Sequence, residues 1–164
     1  MLTYRNLTQS AYDALRYQTL LNVEETGDPK EIAYLDSKGI PTIGIGFNLR
    51  SGNVRDAVLT KFGIKVNAAQ GTPERQYIDQ IKSILNTSYA NAADLNAALN
   101  AVMNTRFNDT NIAAEDRTRS SFQFLNDTEI RSVFDGLIGS FEGQVDGWLS
   151  GIPITAHERV ALVW

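Results

Sequence analysis

One stretch of eleven residues, Asp36–Gly46, constrains the fold of this chain more than any other part of it. The stretch begins with the turn sequence Asp-Ser-Lys-Gly and ends with the strand-like sequence Thr-Ile-Gly-Ile-Gly. Gly39 can adopt the left-handed backbone angles that a tight hairpin turn requires. We therefore predict a β-hairpin with strands over about residues 32–35 and 40–49.

Helical patterns lie on both sides of this hairpin. Apolar residues recur at helical spacing from Tyr12 to Val23, which predicts a first helix over about residues 10–25. Three later apolar stripes have the same spacing and span Tyr77–Leu85, Leu95–Val102 and Ile130–Trp148. Thr155–Glu158 matches a capping box at the start of a last helix. Because such stripes normally face a core, we predict an α+β domain that is mainly helical, with one small antiparallel sheet near its start.

The composition limits the chemistry available to the chain. Its 164 residues are enough for one domain, and they include no cysteine and a single histidine, His157. Cysteine nucleophiles, Ser-His-Asp triads and zinc sites of cysteine or several histidines therefore have no support. We expect no metal and no cofactor, and we expect His157 to be a surface or capping residue of the last helix. The formal charge of −4, with scattered Lys and Arg, argues against a nucleic-acid partner.

The strand after the hairpin turn has an unusual face. Alternation places Thr42, Gly44 and Gly46 on one side of it and three large apolar residues on the other, which is typical of a core. Two glycines beside a hydroxyl leave the first side nearly bare, which is typical of a surface that a ligand approaches closely. A twisted hairpin with tight packing is the alternative interpretation.

Two carboxyl groups are predicted near this bare face. Glu25 is expected in the last turn of the first helix, where the helix dipole and burial raise the pKa of a carboxyl, as suits a general acid. Asp36 is expected at the hairpin corner, ionised at neutral pH, as suits the base or nucleophile of a glycosidase. Each residue also has an ordinary interpretation, since helix-end glutamates are often solvated and aspartates often form turns. Glu24 competes with Glu25 for the acid role, but adjacent helix positions are about 100° apart and only one can face the hairpin.

Parts of the chain resemble the phage-type lysozymes, glycoside hydrolase family 24. The segments that resemble their catalytic lobe are Leu20–Glu25, Ala33–Gly39 and Pro41–Gly46. The segments that resemble their later helices are Leu125–Trp148 and Thr155–Val163. The resemblance implies one lysozyme-like domain over residues 1–164, with a catalytic helix and hairpin at about 10–50 and a helical lobe at about 53–164. Residues 53–124 match the family poorly, and we interpret them as an enlarged insertion.

The resemblance also implies roles for individual residues. Glu25 would protonate the glycosidic oxygen, while Asp36 and Thr42 would hold and activate water on the opposite face of the sugar, with inversion at the anomeric carbon. The implied substrate is bacterial peptidoglycan, cleaved at the β-1,4 bond between N-acetylmuramic acid and N-acetylglucosamine. The implied substrate-binding residues are Tyr34, Gly44, Gly46 and Phe47.

A wall-degrading enzyme must reach the wall. Met1–Gln18 contains charged residues and no uninterrupted apolar core, so we expect no secretory signal there, and no segment is long and apolar enough to span a membrane. We therefore expect synthesis in a host cytoplasm and delivery to the periplasm or the cell exterior by a holin or an injection machinery. An endolysin, a virion lysin and an antibacterial toxin domain all fit. The last apolar run, Val160–Trp164, stops abruptly, so we expect the sequence to continue beyond Trp164.

Two other functions stay open. A lytic transglycosylase cleaves the same bond with one glutamate and without water, so it would give Asp36 and Thr42 no required role. A non-catalytic wall-binding module would keep the groove and lack turnover. The presence of both Asp36 and Thr42 favours hydrolysis over the first alternative.

Overall fold

The computed structural model describes residues 7–24 and 28–163. Its helices are α1 (Gln9–Glu24), α2 (Gly52–Lys61), α3 (Pro73–Asn86), α4 (Ala92–Asn108), α5 (Asp127–Trp148) and α6 (Ala156–Val163). Its strands are β1 (Lys30–Leu35), β2 (Pro41–Gly44) and β3 (Phe47–Asn48), which form one antiparallel sheet in the order β1-β2-β3. The prediction of a mainly helical α+β protein with a small antiparallel sheet is confirmed. Within the described residues, no helix combines the length and the apolarity needed to cross a bilayer.

The first half of the predicted hairpin is confirmed. β1 pairs antiparallel with β2, and Tyr34 lies opposite Thr42. A hydrogen bond of 2.9 Å from Gly39 N to Asp36 O closes the turn between the strands. Gly39 has a φ of 72°, the left-handed angle that the turn sequence predicts for it. Asp36 therefore lies at the end of β1, immediately beside β2.

The second half of the hairpin differs from the prediction of one strand over residues 40–49, which is wrong. β2 ends at Gly44 and β3 begins at Phe47. Gly44 and Gly46 have φ values of 68° and 95°, which turn the chain so that β3 runs antiparallel to β2. The alternation of faces therefore does not continue through residues 42–47.

Packing requires the glycine at position 44. A Cβ atom built there would lie 2.7 and 2.8 Å from two ring carbons of Phe47 and 3.2 Å from Cγ2 of Ile130. The Phe47 ring thus covers Gly44, and it meets the Phe124 ring edge-on with 6.3 Å between centroids. The packing interpretation of the bare strand face is therefore correct at Gly44.

Gly44→Ala is expected to lower the free energy of unfolding more than Gly39→Ala. Both substitutions place a side chain at positive φ, which costs about 1 kcal/mol. At Gly44 the new methyl group also collides with a buried ring and should cost a further 1–3 kcal/mol or so, whereas no atom lies within 4 Å of a Cβ built at Gly39. Urea unfolding measures both losses, and adding Phe47→Leu to Gly44→Ala should recover part of the larger one. Equal losses in the two single variants would contradict this explanation.

Most buried apolar residues belong to one core. This core joins the second half of α1, the sheet and helices α2 to α5, and it includes fully buried residues such as Ile43 and Phe62. A second, smaller cluster of Tyr12, Ala156 and Val160 joins α1 to α6. Helix α1 therefore contributes to both clusters, one through each of its halves.

The apolar stripe of α5 is only partly buried. The main core extends along α5 as far as Ile138, and Val145 is buried beyond it. Phe141 and Trp148 are 51% and 77% exposed. The prediction that the whole stripe Ile130–Trp148 faces the core is therefore wrong at these two positions, because α5 extends past the main core.

Residues 53–124 share the main core with the hairpin. Helix α3 packs against α4, and α4 packs against β1. Between α3 and α4, the fully buried Arg106 donates from Nε and Nη2 to the two carboxylate oxygens of Glu74, at 2.9 and 2.8 Å. The same guanidinium donates to the backbone oxygens of Gly63 and Asp116 at 3.0 and 3.1 Å. One buried guanidinium group thus links α3 and α4 to the loop at Gly63 and to the short 3₁₀ helix Ala114–Asp116.

Arg106→Met is expected to destabilise the protein by about 3–5 kcal/mol, because it leaves the Glu74 carboxylate buried without its cation. Arg75→Met is the matched control, since Arg75 pairs with Asp79 on the surface of α3, where such a pair contributes about 0–1 kcal/mol. Urea unfolding of both variants measures the contrast. Losses of similar size would show that the buried pair is not important for stability.

Candidate active site

A polar cleft of about 560 Å³ lies beside the hairpin turn. Its lining residues are Tyr34, Leu35, Asp36, Ser37, Lys38, Thr42, Gly46 and Asn48. The structure therefore brings together four residues that the sequence indicated as functional, Asp36, Thr42, Tyr34 and Gly46. The remaining two in the described residues, Gly44 and Phe47, are buried beneath the sheet surface and do not line this cleft.

The two oxygen atoms of the Asp36 carboxylate differ in their hydrogen bonding. Oδ1 accepts hydrogen bonds from the backbone N–H groups of Lys38 and Ile40, each at 2.8 Å. These bonds form the turn, as is common for aspartate at such a position. Oδ2 has no hydrogen bond to the described residues. Asp36 therefore shapes the turn with one oxygen and offers the other to a ligand or to water.

The hydroxyl group of Thr42 has a fixed direction. Thr42 is buried, with 4% of its surface exposed, and its Oγ1 donates to the backbone oxygen of Ile40 at 2.9 Å. Because this bond uses the only proton of the hydroxyl group, the lone pairs of Oγ1 can act only as acceptors.

Asp36 and Thr42 are held by the same residue. The N–H of Ile40 donates to the Asp36 side chain, while its C=O accepts from the Thr42 side chain. Both side chains line one cleft, and each has acceptor capacity left over. Such a pair can accept both protons of one water molecule, which leaves a lone pair of that water free to attack an electrophile.

The predicted acid, Glu25, lies outside the described residues, and so does the side chain of its competitor, Glu24. Helix α1 ends at Glu24. Leu20 of α1 lines an apolar cavity of about 310 Å³ together with Ile45, Gly46 and Phe47 of the hairpin. Gly46 also lines the polar cleft. The cavity that Leu20 of α1 lines therefore adjoins, at Gly46, the cleft that contains Asp36 and Thr42.

Polar contacts with α5 fix the orientation of α1. Arg16 donates to Asp135 at 2.6 Å and to Glu142 at 2.7 Å, and the hydroxyl group of Tyr17 donates to Asp127. Burial, together with this bond to Asp127, raises the pKa of Tyr17 above its ordinary value, so Tyr17 remains a donor throughout the neutral range. The helix that is predicted to end in the acid is thus held to α5 by contacts that extend from Asp127 to Glu142.

Sequence reasoning missed three polar side chains of the cleft, Ser37, Lys38 and Asn48. Asn48 lies opposite Thr42 in the pairing of β2 with β3. The sequence does contain a signal for this third strand. Gly44 and Gly46 can reverse the chain and so place β3, with Asn48, beside β2.

His157 is exposed near the start of α6, as predicted. Thr155 and Glu158 form the predicted capping box, with a bond of 2.7 Å from Thr155 N to Glu158 Oε2 and one of 3.2 Å from Glu158 N to Thr155 Oγ1. Over residues 7–24 and 28–163, no group of three or more histidine, aspartate or glutamate side chains has the arrangement of a metal site.

Comparison of the chain with protein-family models, with curated proteins and with solved structures found no match. The similarity to phage-type lysozymes therefore stays a prediction from sequence motifs. Function is inferred from the geometry of the cleft and from those motifs.

Asp36→Asn is expected to change the free energy of unfolding by less than about 0.5 kcal/mol, because the amide oxygen can still accept from the two N–H groups of the turn. Asp36→Ala removes that acceptor and should cost about 1–2 kcal/mol. Asp28→Ala is the control, since Asp28 is an exposed aspartate whose side chain pairs with the exposed Lys30. Thermal unfolding of the three variants makes the comparison. If Asp36→Asn were as unstable as Asp36→Ala, the carboxylate charge rather than its geometry would support the turn.

Proposed function

We propose that this protein is a peptidoglycan hydrolase, a muramidase that cleaves the β-1,4 bond between N-acetylmuramic acid and N-acetylglucosamine with inversion. The observation that carries the proposal is the arrangement of Asp36 and Thr42, which share Ile40 as a support and have free acceptor positions in one polar cleft. The proposal includes a lysozyme-like fold, in which α1 and the hairpin form the catalytic part.

The proposed reaction uses water as the nucleophile. Asp36 Oδ2 and Thr42 Oγ1 accept the two protons of a water molecule, and its oxygen attacks the anomeric carbon of the muramic acid residue. Asp36 takes one proton as the new C–O bond forms, and Glu25 gives a proton to the leaving oxygen on the opposite face of the sugar. Both halves of the broken bond are then hydroxyl groups, and the new reducing end has inverted configuration.

The position assigned to Glu25 suits this acid role. A carboxyl at the C-terminal end of a helix meets the negative end of the helix dipole, which favours its protonated form. Inverting glycosidases separate their two carboxyl groups by about 6.5–9.5 Å so that a water molecule fits between sugar and base. The cavity that Leu20 of α1 lines adjoins the cleft at Gly46, which supports the same pairing of α1 with Asp36.

The size and charge of the cleft support a carbohydrate ligand. Its volume of about 560 Å³ lies within the usual range for small-molecule sites, and most of its lining residues are polar. Lys38 provides a local cation near Asp36, which can attract the carboxylate of muramic acid although the chain carries a formal charge of −4.

Hydrolysis fits the cleft better than transglycosylation does. A lytic transglycosylase forms its anhydro product by an intramolecular attack and does not hold a water molecule. Besides their structural bonds, Asp36 and Thr42 each keep a free acceptor in the cleft, which suits a proton donor such as water and has no use in a transglycosylase. We further propose that the enzyme is made in a host cytoplasm and reaches the wall through a holin or an injection machinery.

Turbidity clearance of purified peptidoglycan, with mass spectrometry of the products, tests this proposal. Glu25→Gln and Asp36→Asn should each lose activity by about 10²–10⁴-fold, because each removes a proton-transfer group. Thr42→Val, which keeps the shape of the side chain and removes its oxygen, should lose about tenfold or more. Glu24→Gln is the matched control and should remain close to wild type. The products should carry free reducing ends.

Two outcomes would overturn the assignment. Anhydro products from an enzyme that tolerates Asp36→Asn would identify a lytic transglycosylase. A folded wild-type protein that sediments with peptidoglycan without clearing it would identify a wall-binding module.

A further inference from the structure

Asn48 lies in the polar cleft without a role in the reaction proposed above. It is exposed, it lines the cleft together with Asp36 and Thr42, and it lies directly opposite Thr42 across the β2–β3 pairing. Side chains that face each other in this way lie on the same side of a sheet. The Asn48 amide is therefore a neighbour of the Thr42 hydroxyl in the cleft.

The orientation of this amide follows from its hydrogen bonding. Asn48 Oδ1 accepts from the backbone N–H of Arg50 at 2.9 Å. Only the oxygen of the amide can accept this bond, so the positions of Oδ1 and Nδ2 are determined. The side chain of Arg50 in turn donates to the backbone oxygen of Leu85 at 3.1 Å, which holds this segment against α3.

The other end of the amide is free. Nδ2 carries two protons, and neither has an acceptor among the described residues. The fold therefore uses the oxygen of Asn48 and leaves its donor group at the cleft.

We infer that Asn48 contacts the substrate, donating from Nδ2 to a neutral oxygen of the bound glycan. This inference rests on the proposed function, since it concerns the same cleft. An N-acetylated sugar offers two kinds of neutral oxygen, the carbonyl oxygen of its acetamido group and its hydroxyl oxygens. An amide N–H suits either of them, whereas the nearby Lys38 suits a carboxylate better.

Two substitutions remove the Nδ2 donor group and keep an oxygen acceptor for the N–H of Arg50. Asn48→Asp retains a carboxylate oxygen in the same place, and Asn48→Ser retains a hydroxyl oxygen that can accept from the N–H two residues later. Asn48→Asp also adds a negative charge to the cleft, whereas Asn48→Ser does not. The difference in KM between the two variants therefore measures the effect of that charge. Asn53→Asp is the matched control, because Asn53 is an exposed asparagine of α2 outside the cleft.

The experiment measures kcat and KM on soluble peptidoglycan strands in two forms, fully N-acetylated and chemically de-N-acetylated. Both Asn48 variants should raise KM on the N-acetylated strands by about tenfold, the effect of one lost hydrogen bond, with a smaller change in kcat. Asn53→Asp should match wild type. If the acceptor is the acetamido oxygen, the increase disappears on de-N-acetylated strands; if it is a hydroxyl group, the increase is the same on both.

Unchanged KM in both Asn48 variants on both substrates would overturn the inference. A rise in KM that is accompanied by a fall in melting temperature would also overturn it, because the role would then be structural. Failure of the proposed function is a separate result, since wild type itself would then clear no peptidoglycan. In that case, sedimentation of Glu25→Gln protein with peptidoglycan, with and without Asn48→Ser, decides whether Asn48 contacts the glycan.

Discussion

The backbone of Ile40 makes the contacts on which the candidate site depends. Its N–H donates to the Asp36 side chain, and its C=O accepts from Asp36 N at 3.1 Å and from the Thr42 hydroxyl at 2.9 Å. The N–H and C=O groups of Ile40 cannot rotate independently of the hairpin backbone. The Asp36 and Thr42 side chains that bond to them are therefore held as rigidly as the hairpin itself. Sites built on rigid elements of this kind hold their geometry without a ligand, so little free energy is spent on ordering them during binding.

The rest of the molecule keeps this hairpin in place. Helix α4 supports β1 directly, through a bond of 2.6 Å from Asn96 Nδ2 to the backbone oxygen of Ala33. Helix α4 is itself fixed to α3 by the buried pair of Arg106 and Glu74. On the other side, α1 is held to α5 by charged and hydroxyl contacts rather than by apolar packing alone. The segment interpreted as an insertion is therefore a structural support of the candidate site.

Sequence reasoning worked where the determining interactions are local. The turn at Asp36–Gly39 and the capping box at Thr155–Glu158 each depend on residues at most four positions apart, and both are confirmed. Sequence reasoning failed where contacts between residues that are distant in the sequence determine the structure. The packing around Gly44 involves the distant Ile130 as well as Phe47, and the exposed end of α5 follows from where the main core stops. The partners Arg106 and Glu74 are 32 positions apart, so no local pattern pairs them. Asn48 could not be assigned to the cleft without the third strand.

The double use of the Asp36 carboxylate has a consequence for how such a protein can evolve. One oxygen is needed by the turn and the other by the proposed chemistry, and an asparagine satisfies the first need as well as an aspartate does. One nucleotide change in a codon converts aspartate to asparagine. A hydrolase and a stable, inactive wall-binding protein of the same shape would therefore be immediate neighbours in sequence space, and selection for one could readily produce the other.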